Sequence, residues 1–78
     1  MLKEVVGVRP YGFEDKKTGE TISGCNVFLQ WEEDDTDGIC CEALSVSDKK
    51  LDGYRPGVGD KVRVGYNKYG KCDFLIAE

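Results

Sequence analysis

The stretch 21–53, TISGCNVFLQWEEDDTDGICCEALSVSDKKLDG, decides how this chain folds. From Thr21 to Trp31 the side chains alternate. Cys25, Val27, Leu29 and Trp31 fall on one side and Asn26, Phe28 and Gln30 on the other, the period of two expected of a half-buried strand. The odd-numbered face is the apolar one and predicts core positions, Trp31 included, with the indole N–H reaching water at the strand end. Glu32 to Gly38 breaks the alternation, and Asp37-Gly38 is a turn signal between two apolar runs. Ile39 to Val46 then returns as a strand. Ser47 is placed to cap one helical turn through Asp48, Lys49, Lys50 and Leu51, closed by Asp52-Gly53.

Working outward, Leu2 to Tyr11 carries Val5, Val6 and Val8, is broken by Gly7 and reaches Pro10, which a sheet accepts only at edges, ends or bulges. It reads as a first strand bent at Gly7. The polar run FEDKKTGET, 13–21, reads as a hairpin tip or projecting loop around Thr18-Gly19. After the helical turn, Tyr54-Arg55-Pro56-Gly57 reverses the chain. Lys61 to Asn67 then alternates Val62, Val64 and Tyr66 with Lys61, Arg63, Gly65 and Asn67. Lys68-Tyr69-Gly70 makes a tight turn into Lys71–Ala77, with Cys72, Phe74 and Ile76 as its apolar side and Lys71 and Asp73 outward. Five short strands with one helical turn between the third and fourth predict an all-β fold, a small five-stranded OB-type barrel forming a single domain over 1–78.

Seventy-eight residues, 40% apolar and 33% charged, suit one ordinary soluble domain with a thin core, since a chain this short buries roughly 60% of its unfolded surface. No histidine is present, and no nucleophile-elbow, zincin, calcium-loop or phosphate-loop pattern appears, so catalysis is not expected. Cys25, Cys40, Cys41 and Cys72 include no CxxC pair. They read as reduced, partly buried thiols, with no metal and no cofactor. The opening MLKEVVGVRP lacks the apolar core of a signal peptide and no run is long enough to cross a bilayer, so the expected location is cytoplasmic, away from membranes.

Charge is segregated along the chain. Window 49–71 holds seven bases against two acids, +5, whereas 32–48 holds seven acids and no base, −7, within a total of −4. Clustering rather than the sum decides what a polyanion meets at contact distance. Lys61 and Arg63 share the outward side of the fourth strand, Lys71 lies on the fifth, and Lys68 and Tyr69 occupy the tip between them. Cations for phosphates beside an aromatic for bases make a nucleic-acid platform. Lys16 and Lys17 in the 14–20 loop, following Arg9, Tyr11 and Phe13, form a second candidate, offset locally by Glu14, Asp15 and Glu20. The acidic run 32–37 lacks the ligand order of a calcium loop and reads as a solvated turn. On a second reading it meets a basic protein partner, making the chain a protein-interaction adaptor.

The segment GYRPGVGDKVRVGYNKYGKCDFLI, 53–76, resembles the C-terminal half of the filamentous-phage gene V-type single-stranded-DNA-binding proteins. The shared marks are the Tyr-x-Pro-Gly turn at Tyr54 to Gly57, a strand, and a hairpin tip with an aromatic before glycine, Tyr69-Gly70. KKTGETISGCNVFL, 16–29, is similar to that family's DNA-binding wing. The resemblance implies an OB-type barrel that dimerises and coats single strands with little sequence preference. The chain's expected partner is single-stranded DNA, ahead of RNA. It implies Tyr69 as the stacking aromatic and Lys16 and Lys17 as basic wing residues. Ile22 stands where the family's wing has an aromatic, and the family lacks so dense an acidic run. The first difference implies a wing that does not stack on bases, and the second implies weaker, more salt-sensitive binding. The expected nucleic-acid-binding set is Arg9, Lys16, Lys17, Lys61, Arg63, Lys68, Tyr69 and Lys71.

Overall fold

The β-branched and alternating runs form strands, and the glycine and Asx positions turn them. A computed structural model describes residues 2–78. Its elements in chain order are β1 (Lys3–Glu14), β2 (Thr21–Trp31), β3 (Cys40–Ser47), α1 (Asp48–Leu51), β4 (Lys61–Tyr66) and β5 (Cys72–Ala77). The strands make one antiparallel sheet in the order β3-β2-β1-β4-β5. The five expected strands are present, and the one short helix lies between the third and fourth as the sequence predicts.

The sheet curls. Four strand spacings of about 4.8 Å would hold β3 and β5 roughly 19 Å apart if it were flat, yet these two edges meet and share a cleft lined by Ala43, Leu44, Ser45, Gly70, Lys71 and Cys72. No ladder joins them, so the sheet is barrel-like but open. β1 is the pivot. Its first residues, Lys3 and Glu4, pair with β4, and the strand pairs with β2 from Glu4 to Glu14. The bend expected at Gly7 is a bulge between Val5 and Gly7, and it turns both Val5 and Val8 toward the β2 residues Leu29 and Val27 while leaving Val6 outside.

Nine residues form the core: Val5, Cys25, Val27, Leu29, Val46, Leu51, Val62, Cys72 and Leu75. The odd face of β2 is buried as the alternation requires, except at its end. Trp31 is half-buried, and its Nε1–H donates to Glu33 Oε1 at 2.7 Å rather than to water. Beside it Lys3 crosses the interior from β1, donating to Glu42 Oε1 at 2.7 Å and to the Tyr66 hydroxyl at 2.8 Å, with its Nζ 3.9 Å from the Trp31 ring centre. Tyr66 in turn donates a short hydrogen bond to Glu42. Burial pulls the Lys3 ammonium down, but the bonds to Glu42 and Tyr66 outweigh it and hold its pKa above the usual lysine value. This group ties β1, β3 and β4 together where the sheet does not close.

Two local expectations are corrected. β5 does not bury Phe74 and Ile76, which are 44% and 53% exposed, but Cys72 and Leu75. The cause is a bulge: Tyr66 pairs with Cys72 and Gly65 with Phe74, so Asp73 is an extra residue that reverses the parity of everything after it. Ser47 does not cap α1 through its side chain. It remains extended at the end of β3, and the Asp48 carboxylate instead accepts from Ser23 Oγ at 2.6 Å. The turn closes at Asp52, whose φ of 51° is left-handed, followed by Gly53.

Candidate nucleic-acid interface

Cross-strand register defines an outward face on β1, β2 and β3. Arg9, Asn26 and Ser45 stand opposite one another across the three strands, as do Gly7, Phe28 and Ala43 on one side and Tyr11, Gly24 and Ser47 on the other. In each flanking row a glycine makes room for an aromatic. A β-carbon at Gly24 would sit 2.7 Å from the Tyr11 hydroxyl oxygen, and one at Gly7 would sit 3.2 Å from Phe28 Cδ2. The two side chains therefore lie over neighbouring backbone instead of standing off the sheet, the aromatic covering of strand glycines that pins register. The Tyr11 hydroxyl accepts from Ser45 Oγ at 3.3 Å. Phe13 continues the series, its ring stacked on Tyr11 at 6.4 Å and 24°.

Past Tyr11 and Gly24 the hairpin leaves the rest of the sheet. β3 pairs with β2 only as far as Gly24, so Gly12 to Glu14 and Thr21 to Ser23 pair with each other alone. This is the projecting wing. Phe13 and Ile22 face each other on it, 56% and 37% exposed. At its tip Asp15 takes the Lys17 amide at 2.9 Å and Gly19 adopts φ 73°, leaving Lys16 and Lys17 exposed.

The β4–β5 tip is built around Asn67. Its Oδ1 accepts from the amides of Tyr69 at 2.9 Å and Lys71 at 3.1 Å, and Gly70 takes φ 78°. Tyr69 is thereby held 74% exposed, with Lys68 Nζ 5.1 Å from its ring centre. Gly70 and Lys71 line the cleft against Ala43 and Ser45 of β3, so this tip borders the outward face.

The sequence-derived cations divide into two groups. Arg9, Lys16, Lys17, Lys68 and Lys71 are exposed and form no ion pair among the described residues. Lys61 and Arg63 are also exposed, but Glu4 takes the first at 3.2 Å and Glu78 the second at 2.7 Å. Glu4 bridges Lys61 and Gln30, and the two hydrogen bonds hold its carboxyl below the usual range. Lys61, held by Glu4 beside Gln30, lies at the far end of the outward face from the wing, and both Lys61 and Arg63 are already paired. The acidic residues 32–35 follow Trp31, while the wing lies at the Thr21 end of β2. About 33 Å of strand at 3.3 Å per residue separates the two ends of β2.

Sequence reasoning passed over Phe28, Asn26 and Ser45. The signal was available in the even-numbered side of β2, where Phe28 is an aromatic between the polar Asn26 and Gln30, and in the glycines opposite Tyr11 and Phe28. Comparison with family models, curated proteins and solved structures gives no match to this chain.

Proposed function

We propose that this chain binds single-stranded nucleic acid, DNA ahead of RNA, on the outward face of β1, β2 and β3, with no chemistry of its own. The observation that supports this is the coincidence on one side of Tyr11, Phe13 and Phe28 with unpaired Arg9, bordered by the Lys68-Tyr69-Lys71 tip. Stacking on aromatics contributes roughly 1 to 3 kcal/mol per base and tolerates any sequence, while free cations neutralise phosphates. The resemblance to the gene V-type proteins points the same way. Relative to that resemblance the site moves: Tyr11 and Phe28 join Tyr69 as stacking groups, and Lys61 and Arg63 become secondary because carboxylates already occupy them.

The test is fluorescence anisotropy of labelled oligo-dT across a salt series, with Tyr11→Ala, Tyr69→Ala and Lys68→Glu. Each variant should weaken binding, Lys68→Glu most at low salt. Absence of binding at low salt rejects the proposal, and binding indifferent to all three variants rejects this face.

The outward strip of β5, with Phe74 and Ile76 exposed beside an unpaired strand edge, supports a homodimer in which a second copy covers it. A monomeric mass by light scattering at micromolar protein rejects the dimer. The four cysteines are unpaired and no helix of the described residues is long and apolar enough to cross a membrane.

A further inference from the structure

We infer that two copies of this chain join through β5, the free edge of one pairing antiparallel with the free edge of the other about a two-fold axis at Ile76. The inference rests on the homodimer proposed above and names its contact. β5 is the last strand of the sheet and pairs on one side alone, with β4. At its end the Glu78 amide donates to the Lys61 carbonyl at 2.9 Å. Hydrogen-bonded and non-hydrogen-bonded pairs alternate along an antiparallel ladder. Arg63–Ile76 and Gly65–Phe74 are therefore hydrogen-bonded pairs, while Val62–Ala77 and Val64–Leu75 are not. The N–H and C=O groups of Leu75 and Ala77 thus point away from β4, toward the free edge.

Nearer the start of the strand that edge is already closed, because Lys50 Nζ donates to the Cys72 carbonyl at 2.9 Å. Beyond it the edge is open: among the described residues no hydrogen bond from another element reaches Leu75 or Ala77. A groove bounded by Leu51 and Tyr54 runs beside Phe74–Ala77. Natural sheets blunt an open edge with lysine, proline or an inward charge. The segment 74–77, FLIA, has none of these, and it exposes Phe74 and Ile76.

The open segment is complementary to itself. Set antiparallel about Ile76, Leu75 of each copy faces Ala77 of the other, and a hydrogen-bonded pair of this kind exchanges both N–H to C=O bonds. Both residues are thereby satisfied in both copies. Ile76 meets Ile76 as the non-hydrogen-bonded pair on the axis, where side chains stand closest, and Phe74 lies diagonal to it. Charge does not oppose the contact. Glu78 faces Phe74 of the other copy rather than another Glu78, and the flanking Lys61 and Arg63 are matched by Glu4 and Glu78. A second copy supplies this spacing by symmetry, since an isologous contact presents the same patch twice.

The experiment combines sedimentation at micromolar protein with amide hydrogen exchange read by NMR, on the wild type, Ala77→Pro and Ile76→Lys. Ala77→Pro removes an N–H that has no partner within one copy, a place where an edge strand tolerates proline. Ile76→Lys sets like charges opposite each other on the axis, and thermal melts show that both variants keep the fold. The expected result is a wild-type dimer in which the Leu75 and Ala77 amides exchange as slowly as those of Phe74 and Ile76. Both variants should be monomeric, with fast exchange at Leu75. A dimer that persists in both variants, or fast exchange at Leu75 and Ala77 in a wild-type dimer, overturns this contact while leaving the homodimer standing. A monomeric wild type overturns both.

Discussion

Tyr11 and the β3 backbone close over Gly24 together: a β-carbon there would meet the Val46 carbonyl oxygen first, then the Tyr11 hydroxyl at 2.7 Å and the Ser47 Cα at 2.9 Å. The glycine is what lets β3 and the Tyr11 hydroxyl approach β2 at this point. Gly24→Ala should therefore cost about 1 to 3 kcal/mol, the range for forcing a group into filled space. Gly7→Ala should cost less, because the Phe28 ring at 3.2 Å can give way. Urea denaturation of both variants checks the order, and a neutral Gly24→Ala would refute the packing described.

The Lys3 group makes a second prediction. The Lys3 side chain is only 12% exposed and its ammonium faces Glu42 and Tyr66. Removing Glu42 leaves a largely desolvated cation with one hydroxyl partner, so Glu42→Ala should cost roughly 1 to 3 kcal/mol. The exposed Lys61–Glu4 pair should contribute well under that, about 0 to 1 kcal/mol. A double-mutant cycle on each pair gives the comparison.

Ion pairing also orders the cations for binding. Arg9→Ala and Lys71→Ala should each lower the salt slope by roughly 0.7, as the loss of one single-strand phosphate contact does. Lys61→Ala and Arg63→Ala should change it less, because these cations face Glu4 and Glu78. Equal slope changes for all four would place the strand on the outside of β4 instead.

Stability should fall at both pH extremes, for different groups. Asp60 is held below the usual carboxylate range by the Tyr54 hydroxyl and the Gly57 amide, and Glu4 by Gln30 and Lys61. For these depressed groups the stabilisation is present above the unfolded pKa, about 4, and is lost as pH falls through the lower folded value. Tyr54 is raised by burial and by Asp60, and Lys3 by its partners despite burial. Their contribution is present below the unfolded values, about 10, and is lost as pH rises through the folded ones. Burial raises the Cys25 and Cys72 thiols as well, and their contribution is present below the unfolded thiol value, about 8.5, and is lost above it. Melting temperature should thus be flat between about pH 5 and 8, and Asp60→Asn should flatten the acid limb.

Much of this fold was legible because the period-two signal is strong wherever one face is buried. β2 shows it best, with Cys25, Val27 and Leu29 all inside. It failed in β5 because Asp73 is an extra residue: nothing in CDFLIA announces a bulge, and one added residue reverses every later side chain. The strand count predicted a barrel, but not that it would stay open: β3 and β5 approach without a shared ladder, and how far the sheet curls depends on the bulges and on the Lys3 cluster, which the linear sequence does not show. In the candidate site the cations could be found by counting, but their partners could not. Glu4 lies 57 residues from Lys61, and only register brings them together. The Tyr11 and Phe28 platforms depend on glycines in the facing strand, which the linear sequence does not align.

The most direct test of the central claim is a two-dimensional amide NMR titration with a short single-stranded oligonucleotide. Shifts should concentrate at Arg9, Tyr11, Asn26, Phe28, Ser45 and 68–71, with Glu32 to Asp35 unmoved. Shifts confined to the acidic run, to the outside of β4, or absent altogether would contradict it.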